Sequence, residues 1–314
     1  MDYLVILGGG ESGIGAALLG KQKGYNVFVS DKSEISTNYK EVLLHNKISF
    51  EENMHTESKI LNANVVVKSP GIPDTVPLIL KLKENSIPII SEIEFAAQFT
   101  DATIIGITGS NGKTTTTLLL HHILKNANFN VGIAGNIGDS FAKQVAQQSY
   151  DSFVLELSSF QLDGIKSFNS HIAILINITP DHLDRYEYDF NKYVEAKFKI
   201  TKNQKETDYL IYDADDRAII NWLNKNKTIA KLVPFSIEKE LEYGAYLIDN
   251  NIIININKEK FTMPLSTLSL KGKHNTKNAM AATMAAQLLK ARKQVVKESL
   301  ENFEGAEHRL ENVA

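Results

Sequence analysis

The sequence predicts an α/β fold with parallel sheets, arranged in two domains. Three observations carry that prediction. Short β-branched runs alternate with longer amphipathic stretches, which is the pattern of βαβ units. Two glycine-rich turns, at Gly8 and Gly106, each stand between an expected strand and an expected helix and open a fresh run of such units. The length, 314 residues, is about twice the ~150 of an ordinary domain.

Taken in order, the first strand is Tyr3 to Leu7. It runs into Gly8-Gly9-Gly10-Glu11-Ser12-Gly13, which satisfies G-x-G-x-x-G. The next strand, Val27 to Ser30, ends at Asp31, close to the distance expected of a ribose-binding acid. Alone, the motif reads as a nicotinamide or flavin site. The same turn also occurs without a ligand and in sites for other nucleotides, so the base stays open. With Val65 to Lys68, these runs make a Rossmann-like N-terminal domain over residues 1–93, its boundary near Ser91 to Glu94. The second series, Thr103 to Ile107, Phe153 to Leu157 and Ile172 to Ile178, builds a central α/β domain over residues 94–301. Around Leu247 to Asn257, two extended runs flank Asp249-Asn250-Asn251, predicting a hairpin and hence a small antiparallel appendage. From Asn275 to about Lys293, small and apolar residues recur at helical spacing, predicting a helix packed on the sheet. Residues 302–314 carry no stop signal and read as the start of a further domain.

Composition removes several classes of function. Lys and Arg number 34 against 37 Asp and Glu, a net charge of −3. No basic excess is available for a nucleic acid backbone or an anionic membrane. The absence of cysteine removes disulfides, thiolate catalysis and cysteine-held metals. The first residues lack the basic region and cleavage site of a signal peptide. Ile172 to Ile178, the longest strongly apolar stretch, is far shorter than the ~18 residues of a membrane span. A soluble cytoplasmic protein beginning at Met1 is expected.

The most specific local motif is Gly106-Ile-Thr-Gly-Ser-Asn-Gly-Lys113-Thr114-Thr115, between a strand and an amphipathic stretch. Backbone N–H groups of such a loop favour a phosphate, Lys113 can reach β- and γ-phosphates, and Thr114 can hold Mg²⁺. A glycine turn followed by a chance lysine is the bland alternative, and the agreement of strand, loop, lysine and hydroxyls weighs against it. The central domain is therefore expected to be of the P-loop ATPase type. Glu156 ends one strand of this domain and Asp181-His182-Leu183-Asp184 follows another, so both fall at the carboxyl ends of strands where ligands gather. There a carboxylate and an imidazole can ligate a divalent ion on nucleotide phosphates. Singly, a capping Glu and a surface His are equally good readings.

With those residues in hand, the sequence resembles the Mur ligases, ATP-dependent amide-forming enzymes of peptidoglycan precursor synthesis. The resemblance spans the whole chain and includes Gly135-Asn136-Ile137-Gly138, the Asp181 to Arg185 segment and Lys273-His274-Asn275-Thr276-Lys277-Asn278-Ala279. Leu155 to Leu162 and Asp181 to Tyr186 are similar to the family member that adds D-glutamate to UDP-N-acetylmuramoyl-L-alanine. The resemblance implies Ser12, Asp31, Lys32, Ser69 and Gly71 near the UDP-sugar, with Asn136 and His182 where substrate and metal meet. It implies that Gly109, Asn111, Gly112, Lys113, Thr114 and Thr115 cradle ATP, with Asn275 and Asn278 near adenine and Arg309 also at the nucleotide. Lys113, Glu156, His182 and Lys197 would be the catalytic group. Thr114, Glu156, His182 and a carbamylated Lys197 would hold two Mg²⁺ ions. On residues alone, Lys197 would pass as a solvated helix lysine. The implied chemistry is attack of the L-alanyl carboxylate on ATP to give an acyl phosphate, followed by displacement of phosphate by the amine of D-glutamate. A monomer is expected.

Family members resembling this chain continue into a third domain that supplies the D-glutamate site, and His308-Arg309 looks like its first motif. This chain is therefore expected to bind the UDP-sugar but to turn over poorly. Other readings are a ligase like folylpolyglutamate synthase, a nicotinamide-dependent dehydrogenase on Gly8 to Gly13, and a non-catalytic P-loop fragment or switch. The residues after Glu156 weigh against the first, and Lys113, Glu156 and His182 go unexplained in the second.

Overall fold

The computed structural model describes residues 2–305, and contacts divide the chain into two units. The first runs to Asp101 and also takes in Ala134–Ser149 and Phe160–Phe168. Its sheet has five strands: β1 (Tyr3–Leu7), β2 (Asn26–Ser30), β3 (Ser49–Glu51), β4 (Val65–Lys68) and β5 (Ile89–Ile90). They lie in the order β3-β2-β1-β4-β5 with every pairing parallel. The apolar runs follow from this arrangement, because a parallel sheet covered on both faces needs uninterrupted Val, Ile and Leu. Leu4, Val5 and Ile6 are accordingly fully buried. Leu7 lies in register with both Ser30 and Lys68, so β1, β2 and β4 end level and present Gly8, Asp31 and Ser69 along one edge. β3 and β5 are too short to carry a period and are invisible in the sequence.

The helix Glu92–Ala97 is capped by Ser91, whose Oγ accepts from Glu94 N at 3.1 Å. It packs on the helices Glu11–Gln22 and Phe141–Gln147 and so belongs with the first unit. A boundary between residues 93 and 94 would cut this helix. Glu92 is 3% exposed and accepts from Ala142 N at the start of Phe141–Gln147.

The second unit holds β6 (Thr103–Thr108), β7 (Val131–Gly135, through Ile133), β8 (Ser152–Glu156), β9 (Ile172–Leu175), β10 (Tyr209–Asp213), β11 (Lys231–Ser236), β12 (Gly244–Ile248), β13 (Asn251–Ile256) and β14 (Glu259–Pro264). The order is β14-β13-β12-β11-β10-β9-β6-β8-β7. From β8 across to β12 the pairings are parallel, and β12, β13 and β14 form an antiparallel meander. The expected hairpin is present: Asp249 and Asn250 have φ of 47° and 56°, the mirror-image turn that matches strand twist. A second such turn at Asn257 (φ 53°) and Lys258 (φ 65°) adds β14, which the sequence reading missed.

Two expected elements end earlier in the structure. β9 stops at Leu175 rather than Ile178, and Asn177 and Thr179 beyond it bond the loop that follows β6. The alanine-rich helix spans Lys273–Leu288 rather than Asn275 to Lys293. Lys290, at φ 63°, closes it: Lys290 N donates to Gln287 O and Ala291 N to Ala286 O, a Schellman ending. Lysine in place of the usual glycine hides that stop. This helix and Lys113–Asn126 contribute Met280, Met284, Leu120 and Ile123 to the core against β6, β9 and β10. Among the described residues, no helix is long and apolar enough to cross a membrane.

Candidate functional site

In the first unit, the level ends of β1, β2 and β4 border a cavity of about 660 Å³. Gly8, Gly10, Asp31, Lys32, Ser69 and Gly71 line it, with Leu7, Met54, Ile72 and Pro73 as apolar walls. The glycine spacing has a packing cause: a Cβ on Gly13 would lie 1.9 Å from Gly8 O, so only glycine lets the helix Glu11–Gln22 seat on the loop. Asp31 does not stand free at the edge. Its Oδ2 accepts from Gly9 N at 2.6 Å and its Oδ1 from Ser33 N at 2.8 Å, tying the glycine loop to the end of β2. Ser12 lies in the first turn of the helix and is not among the lining residues. Asn136 follows β7 and by its contacts belongs to this unit.

In the second unit, the loop from Gly109 to Gly112 joins β6 to the helix Lys113–Asn126. Gly112 has φ 81°, and a Cβ there would meet Asn278 Oδ1 at 2.6 Å. Neighbours hold the loop in shape. Asn111 N donates to Asn177 Oδ1 and Asn177 Nδ2 returns a bond to Asn111 O, both at 2.9 Å. Ser110 Oγ donates to Thr179 O at 2.8 Å and lies 3.1 Å from Tyr193 OH. Asn177 and Tyr193 escaped the sequence reading, since neither belongs to a local motif.

Two amines converge on the loop. Lys113 Nζ donates to Gly109 O and Ser110 O, each at 2.9 Å, and Lys197 Nζ donates to Gly109 O at 2.8 Å. Burial pushes the Lys113 ammonium below its ordinary value, opposed by Glu156 and Asp181. Lys197 is 2% exposed. Burial, and then the charge of Lys113, push it down to about 7 against the pull of Asp181. Asp181 thus acts on both amines, a role its place beside His182 did not reveal.

Thr114 Oγ1 donates to Glu156 Oε2 at 2.8 Å, and Glu156 is 1% exposed. His182 has φ 49°, and its backbone N bonds Asp181 Oδ1 at 2.9 Å. Among the described residues, no group of three or more His, Asp and Glu is gathered for a metal. The hydroxyl and carboxylate of Thr114 and Glu156 nonetheless suit Mg²⁺, which takes one or two protein oxygens and completes its shell with phosphates and water. Thr115 follows on the same helical turn.

Beside the loop, a second cavity of about 340 Å³ is lined by Asn111, Gly112, Asn177, Asp213, Lys277 and Asn278, among others. Asn275 is not among its lining residues, but its Oδ1 accepts from Asn278 Nδ2 at 3.4 Å. Lys277 Nζ bridges Asp213 Oδ2 at 2.7 Å and Asp215 Oδ2 at 3.1 Å, fixing the wall of this cavity to β10. Burial raises Asp213 to about 6 against the pull of Lys277. Arg309 and the rest of 306–314 lie outside the described residues.

The Mur ligase middle domain matches residues 107–286, and the MurD N-terminal domain matches residues 4–76. A UDP-N-acetylmuramoylalanine--D-glutamate ligase from Christiangramia forsetii is 60% identical over 99% of this chain and 70% of its own length. A solved UDP-N-acetylmuramate:L-alanyl-gamma-D-glutamyl-meso-diaminopimelate ligase from Neisseria meningitides shares the fold. Its TM-score is 0.68 at 18% identity, over 98% of this chain and 99% of that one. A MurF ligase from Thermotoga maritima, solved in complex with ADP, has a TM-score of 0.54 at 17% identity, over 89% of this chain and 64% of that one.

Proposed function

This chain belongs to the Mur ligase family, and on that premise we propose that it performs the step joining D-glutamate to UDP-N-acetylmuramoyl-L-alanine at the expense of ATP, in peptidoglycan precursor synthesis. The observation that carries the reading is the pair of amines, Lys113 and Lys197, on the Gly109 carbonyl, with Thr114 and Glu156 bonded behind them. In this reading the loop N–H groups and Lys113 bind the ATP phosphates, while Asn111, Gly112 and Thr115 complete the cradle. Asn278, with Asn275 behind it, stands on the base side. Thr114, Glu156 and His182 hold Mg²⁺, which supplies charge neutralisation when bound. Phosphoryl transfer requires positioning and charge neutralisation more than a protein nucleophile, which suits these residues.

Carbamylation of Lys197, implied by the family resemblance, is supported by its environment. Only a neutral amine adds to carbon dioxide, and an amine at about 7 is largely neutral at pH 8. In the first unit, Asp31, Lys32, Ser69 and Gly71 would surround the UDP end of the sugar substrate, with Ser12 and Asn136 nearby in the same unit. The L-alanyl carboxylate then attacks the γ-phosphorus of ATP, giving an acyl phosphate and ADP. The D-glutamate amine next displaces phosphate to form the amide. For these 314 residues the proposal is binding of both nucleotides, the UDP-sugar by the first unit and ATP by the second. It includes a monomeric cytoplasmic protein without nucleic acid or membrane partners.

Calorimetric titration with UDP-N-acetylmuramoyl-L-alanine tests this reading, with NADH as control and Ser12→Trp to obstruct the glycine loop. Binding of the UDP-sugar that the variant loses supports it. No binding, or binding of NADH instead, refutes the assignment of the first unit.

A further inference from the structure

We propose that His55 is the group by which the first-unit cavity recognises uracil, accepting at Nε2 a hydrogen bond from the N3–H of the base. This rests on the reading of the cavity as a uridine nucleotide site and adds the residue that distinguishes the base.

A hydrogen-bond relay of fixed direction joins Glu51, Ser30 and His55. Ser30, fully buried, lies in register with Glu51 across β2 and β3. Its Oγ is 2.8 Å from Glu51 Oε1 and 2.7 Å from His55 Nδ1. Glu51 also accepts from Thr56 N at 2.7 Å and Thr56 Oγ1 at 2.6 Å, with Lys59 Nζ at 3.6 Å. Burial opposes its charge, but these donors outweigh burial and hold the carboxyl below its ordinary value. An ionised carboxylate only accepts, so the single Ser30 proton goes to Glu51. Ser30 Oγ is then the acceptor toward His55, and Nδ1 carries the ring proton. Burial lowers the imidazole below its ordinary value and Lys32 reinforces this, while Asp31 and Glu51 pull the other way. Near neutral pH the ring therefore holds one proton, on Nδ1. Nε2 is left as an acceptor without a partner among the described residues, on a side chain that, like Leu7, Met54 and Pro73, lines the cavity.

An acceptor in an apolar-walled pocket selects a ligand that offers N–H there. Uracil presents N3–H, whereas cytosine has a bare ring nitrogen at that position, which would meet Nε2 lone pair to lone pair. Leaving such a group unpaired is how sites reject close analogues. Protonation of His55 turns Nε2 into a donor and reverses the match. The charged groups facing it are Asp31, Glu51 and Lys32, with Glu57 also lining the cavity.

The test is calorimetric titration of the whole chain with UDP, CDP and 2′-deoxy-UDP at pH 8 and at stepwise lower pH, repeated with His55→Leu. The expected result is UDP binding about tenfold tighter than CDP at pH 8, the worth of one such hydrogen bond. The ratio of UDP to 2′-deoxy-UDP binding should be the same in His55→Leu as in the unaltered chain. His55→Leu should bring UDP down to the level of CDP, and the unaltered chain should lose its preference as the ring takes up its second proton, below the ordinary imidazole range. That pH comparison needs no variant to fold. An unchanged UDP to CDP ratio in His55→Leu overturns the role of His55 and leaves the cavity assignment standing. A tenfold loss with 2′-deoxy-UDP that His55→Leu abolishes assigns Nε2 to the ribose and also overturns it. Absence of UDP binding by the unaltered chain overturns the cavity assignment and the His55 role together.

Discussion

Replacing Glu92 by Gln should stabilise the protein at pH 8 and cease to do so near pH 5. Glu92 is 3% exposed, and burial, with Glu11 adding to it, raises its carboxyl to about 7 from an ordinary 4.5, although the Ala142 N–H opposes the rise. A raised acid favours the protonated folded state. Stability is therefore fully present below 4.5 and declines as pH climbs toward 7, beyond which the loss is constant. That rise corresponds to about 3 kcal/mol. Glutamine removes the charge and keeps an oxygen for Ala142 N, but its amide turns a donor toward Ser140 and Phe141, whose groups also bond Glu92, at a cost of about 1 kcal/mol. The variant should thus be about 2 kcal/mol more stable at pH 8 and about 1 kcal/mol less stable near pH 4.5. Urea unfolding followed by circular dichroism at half-unit pH steps measures both. A difference between the two proteins that is the same at every pH would sink the assignment of a buried, strained charge to Glu92.

Other substitutions probe the first glycine loop and the wall of the second cavity. Gly13→Ala places a Cβ 1.9 Å from Gly8 O and should destabilise the first unit by about 1–3 kcal/mol, read from the urea midpoint. An unchanged midpoint would show that the helix does not seat on the loop as described. Lys277→Met leaves Asp213 and Asp215 buried without their cation and should cost about 3–5 kcal/mol. Adding Asp213→Asn should recover part of that loss, and no recovery would mean the cost lies elsewhere than in the unpaired carboxylate.

What could be read from the sequence was what is local. Both glycine turns declare themselves within ten residues, because strand, loop and helix N-terminus are consecutive, and the structure has a strand and helix on either side of each. The Asp249-Asn250 hairpin was legible for the same reason. Its neighbour at Asn257-Lys258 was not, since lysine at a left-handed position carries no turn signal. The Schellman stop at Lys290 was hidden in the same way. Distant convergence was harder still. Lys197 has the composition of a solvated helix lysine, and only the fold turns it onto Gly109 O. Glu51, Ser30 and His55 are joined by the register of two parallel strands and the loop after them. Asp31 was legible as the residue at the end of β2, but its hydrogen bonds to the glycine loop were not.

The first unit draws on three separate stretches of chain, the last ending at Phe168. During synthesis the sheet of Tyr3 to Ile90 therefore emerges from the ribosome well before the helix Phe141–Gln147 that covers Glu92, and before the Lys166 to Phe168 amides that bond Glu94. At ~5–20 residues per second, the stretch from Ala102 to Phe168 takes about 3–13 s to make. For that interval two carboxylates destined for burial stay hydrated at the end of a nascent sheet.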